Sequence, residues 1–312
     1  MARFVLYRFG GLVLTLLVAS VLIYAGVYAT PGSPEGFLAG GRPLSPDDLA
    51  VLKAKYHLDE PLPVAYVRWM TGVLHGDLGT SVVSKEHVTA LLGPRLATTA
   101  FLVTYAALLI FLVGISSGVV AGLRPRLGAV IVVTTSFAAA IPAFVAAVVL
   151  ITIFGVGLGW FPSVGDGTGL GGRLYHLTLP AVALALALVA YVSRITRVAV
   201  REELLRPHVE TARARGLPER WVIRRHVLRN AAIPITTVVG VGFAALIGIV
   251  AVVETAFGLN GLGAFLVQSV NNKDFAVVQA ICLIFVAAFV VVNTIVDVCY
   301  AVLDPRLAAR AR

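Results

Sequence analysis

The chain reads as long apolar runs separated by polar stretches. Six runs stand out, at 9–29, 97–123, 128–155, 177–192, 231–253 and 277–300. A helix needs about 20 apolar residues to cross ~30 Å of hydrocarbon, and each run approaches or exceeds that length, the fourth being slightly short. In lipid only helices or closed barrels satisfy the backbone, and unbroken runs favour helices. The pattern predicts an all-α integral membrane protein with six transmembrane helices.

Composition supports this reading. Apolar residues make up 59% of the 312 and charged residues only 13%, whereas about a quarter of a soluble domain is charged. Cys282 and Cys299 share one apolar run, with no CxxC pair and no disulfide framework, and read as small hydrophobes at packing positions. Arg3 and Arg8 precede the first run, and Val27-Tyr28-Ala29 looks cleavable. Its apolar stretch nevertheless exceeds the about 7–15 residues of a secretory signal core, so it is expected to stay as an anchor.

Charge sets the expected direction. With the N-terminus cytoplasmic, seventeen of the 25 basic residues fall inside: Arg3, Arg8, Arg124, Arg126, ten arginines from Arg194 to Arg229, and Arg306, Arg310 and Arg312. Eight remain outside. Positively charged loops stay in the cytoplasm, so a multi-pass chain of the cell membrane with both termini cytoplasmic is expected. Topogenesis and contact with anionic lipid account for the net charge of +9. Nucleic-acid binding is set aside.

Between the first two spans lies a polar segment, 31–95. Ser45-Pro46-Asp47-Asp48 has helix-start chemistry, with an N-cap, a proline at the first helical position and acids in the first turn. A second helix is expected from Pro63, where Val64, Val67, Met70 and Leu74 make a stripe, and a third over 85–92, stopped by Gly93-Pro94. These amphipathic pieces either touch a partner or cover the bundle. Gly167-x-Gly169-x-x-Gly172 matches a dinucleotide fingerprint formally, but no strand precedes it and it reads as a flexible outer loop. No GxxxxGK[ST] sequence occurs, so the chain has no P-loop for ATP.

Inside the spans, Gly114, Gly118 and Gly122 recur every four residues, as a close helix-packing seam requires. Ionisable residues are scarce there. Asp297 lies near the inner end of the sixth run and Glu254 at the outer edge of the fifth. Carriers driven by protons or sodium use buried mid-membrane carboxylates, so the energy is expected to come from elsewhere. No cluster of histidines or cysteines offers a metal site, and none is expected.

The segment 194–230 is too long for a turn and reads as two short helices. Pro207 opens the first, 207–215, and Gly216 is placed to end it in the left-handed conformation. Pro218 opens the second, with Glu219 in its first turn and Arg224, Arg225 and Arg229 near its end. Val209, Ala212 and Leu217 form a small apolar face rimmed by Glu210, Arg213 and Arg215. Such a ridge suits docking in a groove of another protein. A solvated loop helix is the alternative.

The sequence His208-Val-Glu-Thr-Ala-Arg-Ala-Arg-Gly-Leu217, followed by His226-Val-Leu-Arg-Asn-Ala-Ala-Ile-Pro234, resembles the EAA loop of ABC importer permeases. It is similar in particular to the branch that takes up dipeptides, oligopeptides and nickel. Glu210, Thr211 and Ala212 occupy the Glu-Ala-Ala slots, with Thr in place of the middle Ala, and Gly216 fills the glycine slot. Further along, Tyr7-Arg8, Thr30-Pro-Gly-Ser-Pro34, Leu58-Asp-Glu-Pro-Leu62, Trp69 and Gly76-Asp-Leu-Gly79 look like the family's first span and outer segment. Glu254-Thr-Ala-Phe257, Gly261-Leu-Gly263 and the tail 297–306 resemble its close. Ser33 stands where aspartate is common, and Leu259-Asn260 replaces a proline before the glycine.

The resemblance implies a type I ABC importer permease fold. It divides the chain into an anchor with its outer segment (1–96), a transmembrane domain (97–304) and a cytoplasmic tail (305–312). It implies a non-enzymatic subunit whose partners are a second homologous permease, two ATP-binding subunits or domains and an extracytoplasmic substrate-binding protein. ATP and Mg would be bound by those partners, with no cofactor in this chain. Val209, Glu210, Thr211, Ala212, Arg213, Arg215, Gly216 and Leu217 would couple to the ATPase. Short peptides are the expected cargo, with nickel or another small solute in the same family as the alternative. A stand-alone secondary transporter and a membrane scaffold are the readings from other classes.

Overall fold

A computed structural model of the chain describes residues 2–28 and 60–303. Ten helices make up its frame: α1 Ala2–Tyr28, α2 Leu62–Leu74, α3 Val88–Leu123, α4 Pro125–Ala140, α5 Ala143–Gly157, α6 Gly169–Leu204, α7 Pro207–Ala214, α8 Glu219–Ala256, α9 Leu262–Asn271 and α10 Phe275–Leu303. Wide π-type turns interrupt α3 at Ile110–Gly114 and α8 at Ile223–Val227, and one ends α5 at Ile151–Gly157. One isolated antiparallel bridge, Thr80 to His87, is present among the described residues. The helix-start chemistry at Ser45–Asp48, the Thr30–Pro34 motif, the tail from 304 and the side chains of Asp297 and Cys299 lie outside the described residues.

Among the described residues five helices are long and apolar enough to cross a membrane, and the pair α4–α5 makes a sixth if taken as one span. That pair corrects the expectation of a single straight helix over 128–155. The two halves are bent by 98° at Ile141-Pro142. Pro142 cannot donate to the preceding turn and pushes Ile141 out of the helical region, to φ −87° and ψ 116°.

Three other boundaries shift. The fourth span, expected over 177–192, extends over the 36 residues of α6 and carries Arg194, Arg197 and Arg201 with it. The short helix expected over 85–92 does not stop at Gly93-Pro94; α3 runs through it. Arg95 Nη1 donates to the Leu91 carbonyl at 2.6 Å on the turn the proline disturbs, and the guanidinium sits 4.0 Å over the Phe265 ring. Neighbours of this kind make helix-breaking residues tolerable in a packed membrane bundle. The second helix of the 194–230 segment merges with the fifth span as α8.

α6 is the central helix, packed on α3, α4, α5 and α8. Gly114, Gly118 and Gly122 of α3 face Val192, Thr196 and Val200 of α6, and a Cβ at Gly118 would lie 2.5 Å from Thr196 Cβ and 2.6 Å from the Ser193 carbonyl. Ser117 Oγ donates to Ser193 Oγ across this seam at 2.9 Å. α1 lies at the periphery against α10. Ser20 and Tyr24 of α1 hold α2 through a 2.8 Å hydrogen bond to Tyr66 and ring contacts with Tyr66 and Trp69. Of the stripe on α2, Val64, Val67 and Leu74 are exposed, and it is the aromatic face, Tyr66 and Trp69, that packs on α1.

The end of the bundle away from α7 is pinned by polar residues. Glu254, fully buried near the end of α8, accepts from Thr99 Oγ1 at 2.6 Å and from the Ala264 N–H at 3.0 Å, and also from the Gly263 N–H. Thr99 Oγ1 in turn accepts from the Leu262 N–H at 2.7 Å. Gly261, the residue before α9, has no side chain to cap that helix, so α3 and α8 supply its cap. Nearby, the buried Asp274 accepts from Ser81 Oγ and from the Val82 N–H, joining the 75–87 stretch to the start of α10.

Candidate functional site

α7 stands at the arginine-rich end of the bundle, between α6 and α8. Pro207 occupies its first turn after Arg206 in extended conformation (φ −75°, ψ 142°), so the missing N–H costs nothing there. Gly216 ends it at φ +75°. The Gly216 N–H donates to the Arg213 carbonyl at 2.9 Å and the Leu217 N–H to the Ala212 carbonyl at 3.3 Å, the paired bonds of a left-handed helix stop. No atom lies within 4 Å of the place a Gly216 Cβ would take. Its requirement for glycine is therefore conformational rather than steric.

The apolar residues of α7 turn inward. Val209 and Ala212 are buried in a cluster with Ala199, Val200, Val222, Val227, Ala231 and Ile235, and Leu217 packs against it half-buried. The ridge expected to be offered to another protein is thus used to seat α7 on its own chain. What faces outward is Glu210, Thr211, Arg213, Arg215 and Gly216, all exposed, with Leu205 at 80% exposure and Trp221 at 47% beside them.

Polar contacts fix α7 to both neighbouring helices. Glu203 Oε1, near the end of α6, accepts from Asn230 Nδ2 of α8 at 2.9 Å and lies 3.0 Å from His208 Nε2 of α7. The His208 and Asn230 atoms are themselves 3.3 Å apart. Arg213 holds Glu219 through both nitrogens, Nε at 3.1 Å and Nη2 at 2.7 Å, bridging α7 to the start of α8. Each exposed pair contributes little alone, but three elements meet at Glu203. α7 is thus tied directly to both α6 and α8.

Glu203 carried no signal in the sequence beyond an acid at a helix end; its partners are 5 and 27 residues away. Gly114, Gly118 and Gly122 lie apart from this site, in the seam. Among the described residues no three His, Cys, Asp or Glu side chains group as a metal site would require.

The bundle, organised on a central helix with a short helix braced at one end, is that of a multi-pass membrane protein. The chain belongs to the family of binding-protein-dependent transport system inner membrane components, which matches residues 95–309, with the N-terminal region of the same systems matching 1–103. It is 37% identical to the glutathione transport system permease protein GsiC of Salmonella paratyphi A, over 98% of this chain and 99% of that one. It is 34% identical to the Escherichia coli protein of the same name over the same shares. The MetNI methionine ABC transporter in inward facing conformations is similar in fold, with TM-score 0.57 and 19% identity, covering 69% of this chain and 96% of the other. An amino acid ABC transporter with histidines gives TM-score 0.53 and 20% identity, covering 68% and 94%. The chain is a membrane permease subunit rather than an enzyme. Its family works with ATP-hydrolysing and substrate-binding partners.

Proposed function

We propose that this chain forms half of a path for short peptides, completed by a second homologous permease and driven by two ATP-binding subunits that hold the ATP and Mg. What carries the cargo assignment is the likeness, along nearly the whole chain, to permeases named for glutathione, itself a short peptide. α7 is the element that meets the ATPase, the counterpart of the EAA loop. Its docking surface is the outward set Glu210, Thr211, Arg213, Arg215 and Gly216, while Val209, Ala212 and Leu217 serve by seating the helix. ATP-driven closure of the partners would push α7, and its bracing at Glu203 would pass the motion to α6 and α8 as a rigid-body switch between two packed states.

Uptake by proteoliposomes containing the whole complex and its binding protein tests the cargo. ATP-dependent accumulation of labelled di- and tripeptides is expected. Accumulation of nickel complexes with no response to any peptide would overturn the peptide assignment.

The arginine-rich end faces the cytoplasm, with both termini on that side. In a chain whose own cysteines are replaced by alanine, Arg215→Cys should react with a membrane-impermeant maleimide in inverted vesicles and not in intact cells. Labelling in intact cells alone would reverse the orientation.

A further inference from the structure

Arg194 lies in an unexpected place. The contacts of Gly114 with Val192 and of Gly118 with Thr196 set α3 and α6 side by side. On that register Arg194 lies level with Ser116, seven residues before the end of α3 at Leu123 and so roughly 10 Å from the arginine-rich end of the bundle. Its Nη2 donates to Ser136 Oγ at 3.1 Å. Ser136 is eleven residues into α4, counted from Pro125 at that same end. The guanidinium thus points further into the membrane, whereas an arginine serving only as a topogenic charge extends towards the headgroups.

Its surroundings are not those of a lipid-facing residue. Between Leu177 and Val200, α6 exposes only Tyr191, Arg194 and Val198, which recur three and four residues apart and form one stripe. Glu202 continues it. Leu188, one turn before Tyr191, lies 3.7 Å from where a Gly242 Cβ would stand, which places α8 beside the stripe. α8 exposes Asn230, Pro234 and Thr237 at the same spacing. A tyrosine, an arginine and a glutamate on the exposed stripe of the central helix belong against water or protein. Among the described residues Arg194 has Ser136 as its hydrogen-bond partner and no carboxylate within ion-pair reach, so most of its five donors remain to be used.

We propose that Arg194, positioned by Ser136, binds a carboxylate of the cargo on the face turned to the translocation path. On the reading of the cargo as a short peptide, its free C-terminal carboxylate is the group recognised. A guanidinium takes a carboxylate through two parallel hydrogen bonds, which an amide in the same place cannot offer.

The test compares uptake of one labelled tripeptide as free acid and as C-terminal amide, in proteoliposomes with the complete importer. For each form the variant rate is divided by the wild-type rate, so the binding protein's own preference cancels. Arg194→Gln should slow the free acid on the order of tenfold, the size of one charge-assisted interaction, and leave the amide within about twofold. Ser136→Ala should shift the free acid in the same direction by less, and Arg194→Lys should restore part of the rate. Equal loss for both forms, or loss of the second permease on purification, would assign Arg194 to structure or to an interchain ion pair and overturn the proposal. An Arg194→Gln importer as fast as wild type on both forms would also overturn it. Should the wild type carry neither form but another solute, the peptide assignment itself falls, a distinguishable result.

Discussion

Glu254→Ala should remove most of the folded permease from the membrane. The carboxylate is fully buried and accepts from the Thr99 hydroxyl and from the N–H groups of Gly263 and Ala264. α9 closes against α8 there: a Cβ on Gly263 would lie 2.5 Å from the Ala251 Cα, and one on Gly261 2.2 Å from the Glu254 carboxyl. Each orphaned buried donor costs about 1–3 kcal/mol, so losing the acceptor costs on the order of 4 kcal/mol, a large part of a protein's whole stability. Glu254→Gln keeps one acceptor oxygen and puts an NH2 in place of the other, so that one of the present donors must turn or lose its partner, and it should fall between. Thr99→Val breaks both of its links, to Glu254 and to Leu262, and its cost should not add to that of Glu254→Ala, since the two act on one network. Yield and melting temperature of the detergent-purified complex read this directly. A Glu254→Ala protein as abundant and heat-resistant as wild type would show that the cap of α9 holds nothing.

The second large effect is expected at the glycine seam. Gly118→Val would drive a branched side chain into Thr196 and the Ser193 carbonyl, and the backbone oxygen cannot move without shifting α6. Overpacking typically costs about 1–3 kcal/mol, and more when the obstacle is backbone. Gly122→Ala should be milder, since the nearest atom to its Cβ is Val200 Cγ1 at 2.7 Å, a side chain with some freedom. Gly248→Ala is the control: nothing lies within 4 Å of its Cβ, and alanine costs less backbone entropy in a helix. Folded yield should therefore rank Gly248→Ala at wild type, Gly122→Ala lower and Gly118→Val near zero. A Gly118→Val chain that folds as well as Gly248→Ala would contradict the seam.

The sequence revealed most of the spans because lipid demands one thing of each, a continuous apolar run. It concealed what lipid does not demand. The break at Ile141-Pro142 lay inside an unbroken apolar run, and only Pro142 itself signalled it. The length of α6 was hidden by Arg194, Arg197 and Arg201, which looked like the start of a loop although their spacing of three and four residues is helical. α7 was legible at both ends, through Pro207 and Gly216, since those are backbone requirements a residue type reveals. The direction of its apolar face was not, because Val209 and Ala212 would look the same whether they fill a partner's groove or their own chain's core. Glu254 was visible as an acid at a helix end, but its donor Thr99 is 155 residues away in sequence. Such a partnership exists only once the helices have packed.

The proposed role of α7, to transmit the work of partner ATPases, is tested at Gly216 and Glu210. Gly216→Val forces a β-branched residue to a φ of +75°, where it is strained although space is free. Gly216→Ala bears less strain, and Glu210→Lys reverses a charge on the outward rim without touching the helix stop. The deciding measurement is ATP hydrolysis and peptide uptake, recorded together in proteoliposomes of the complete importer with each of these variants. Uptake should fall more than tenfold in Gly216→Val and clearly in Glu210→Lys, with the ATPase either lost on purification or hydrolysing without response to loaded binding protein. Substrate-stimulated hydrolysis and uptake at wild-type rates in both variants would show that α7 does not couple the ATPase to transport.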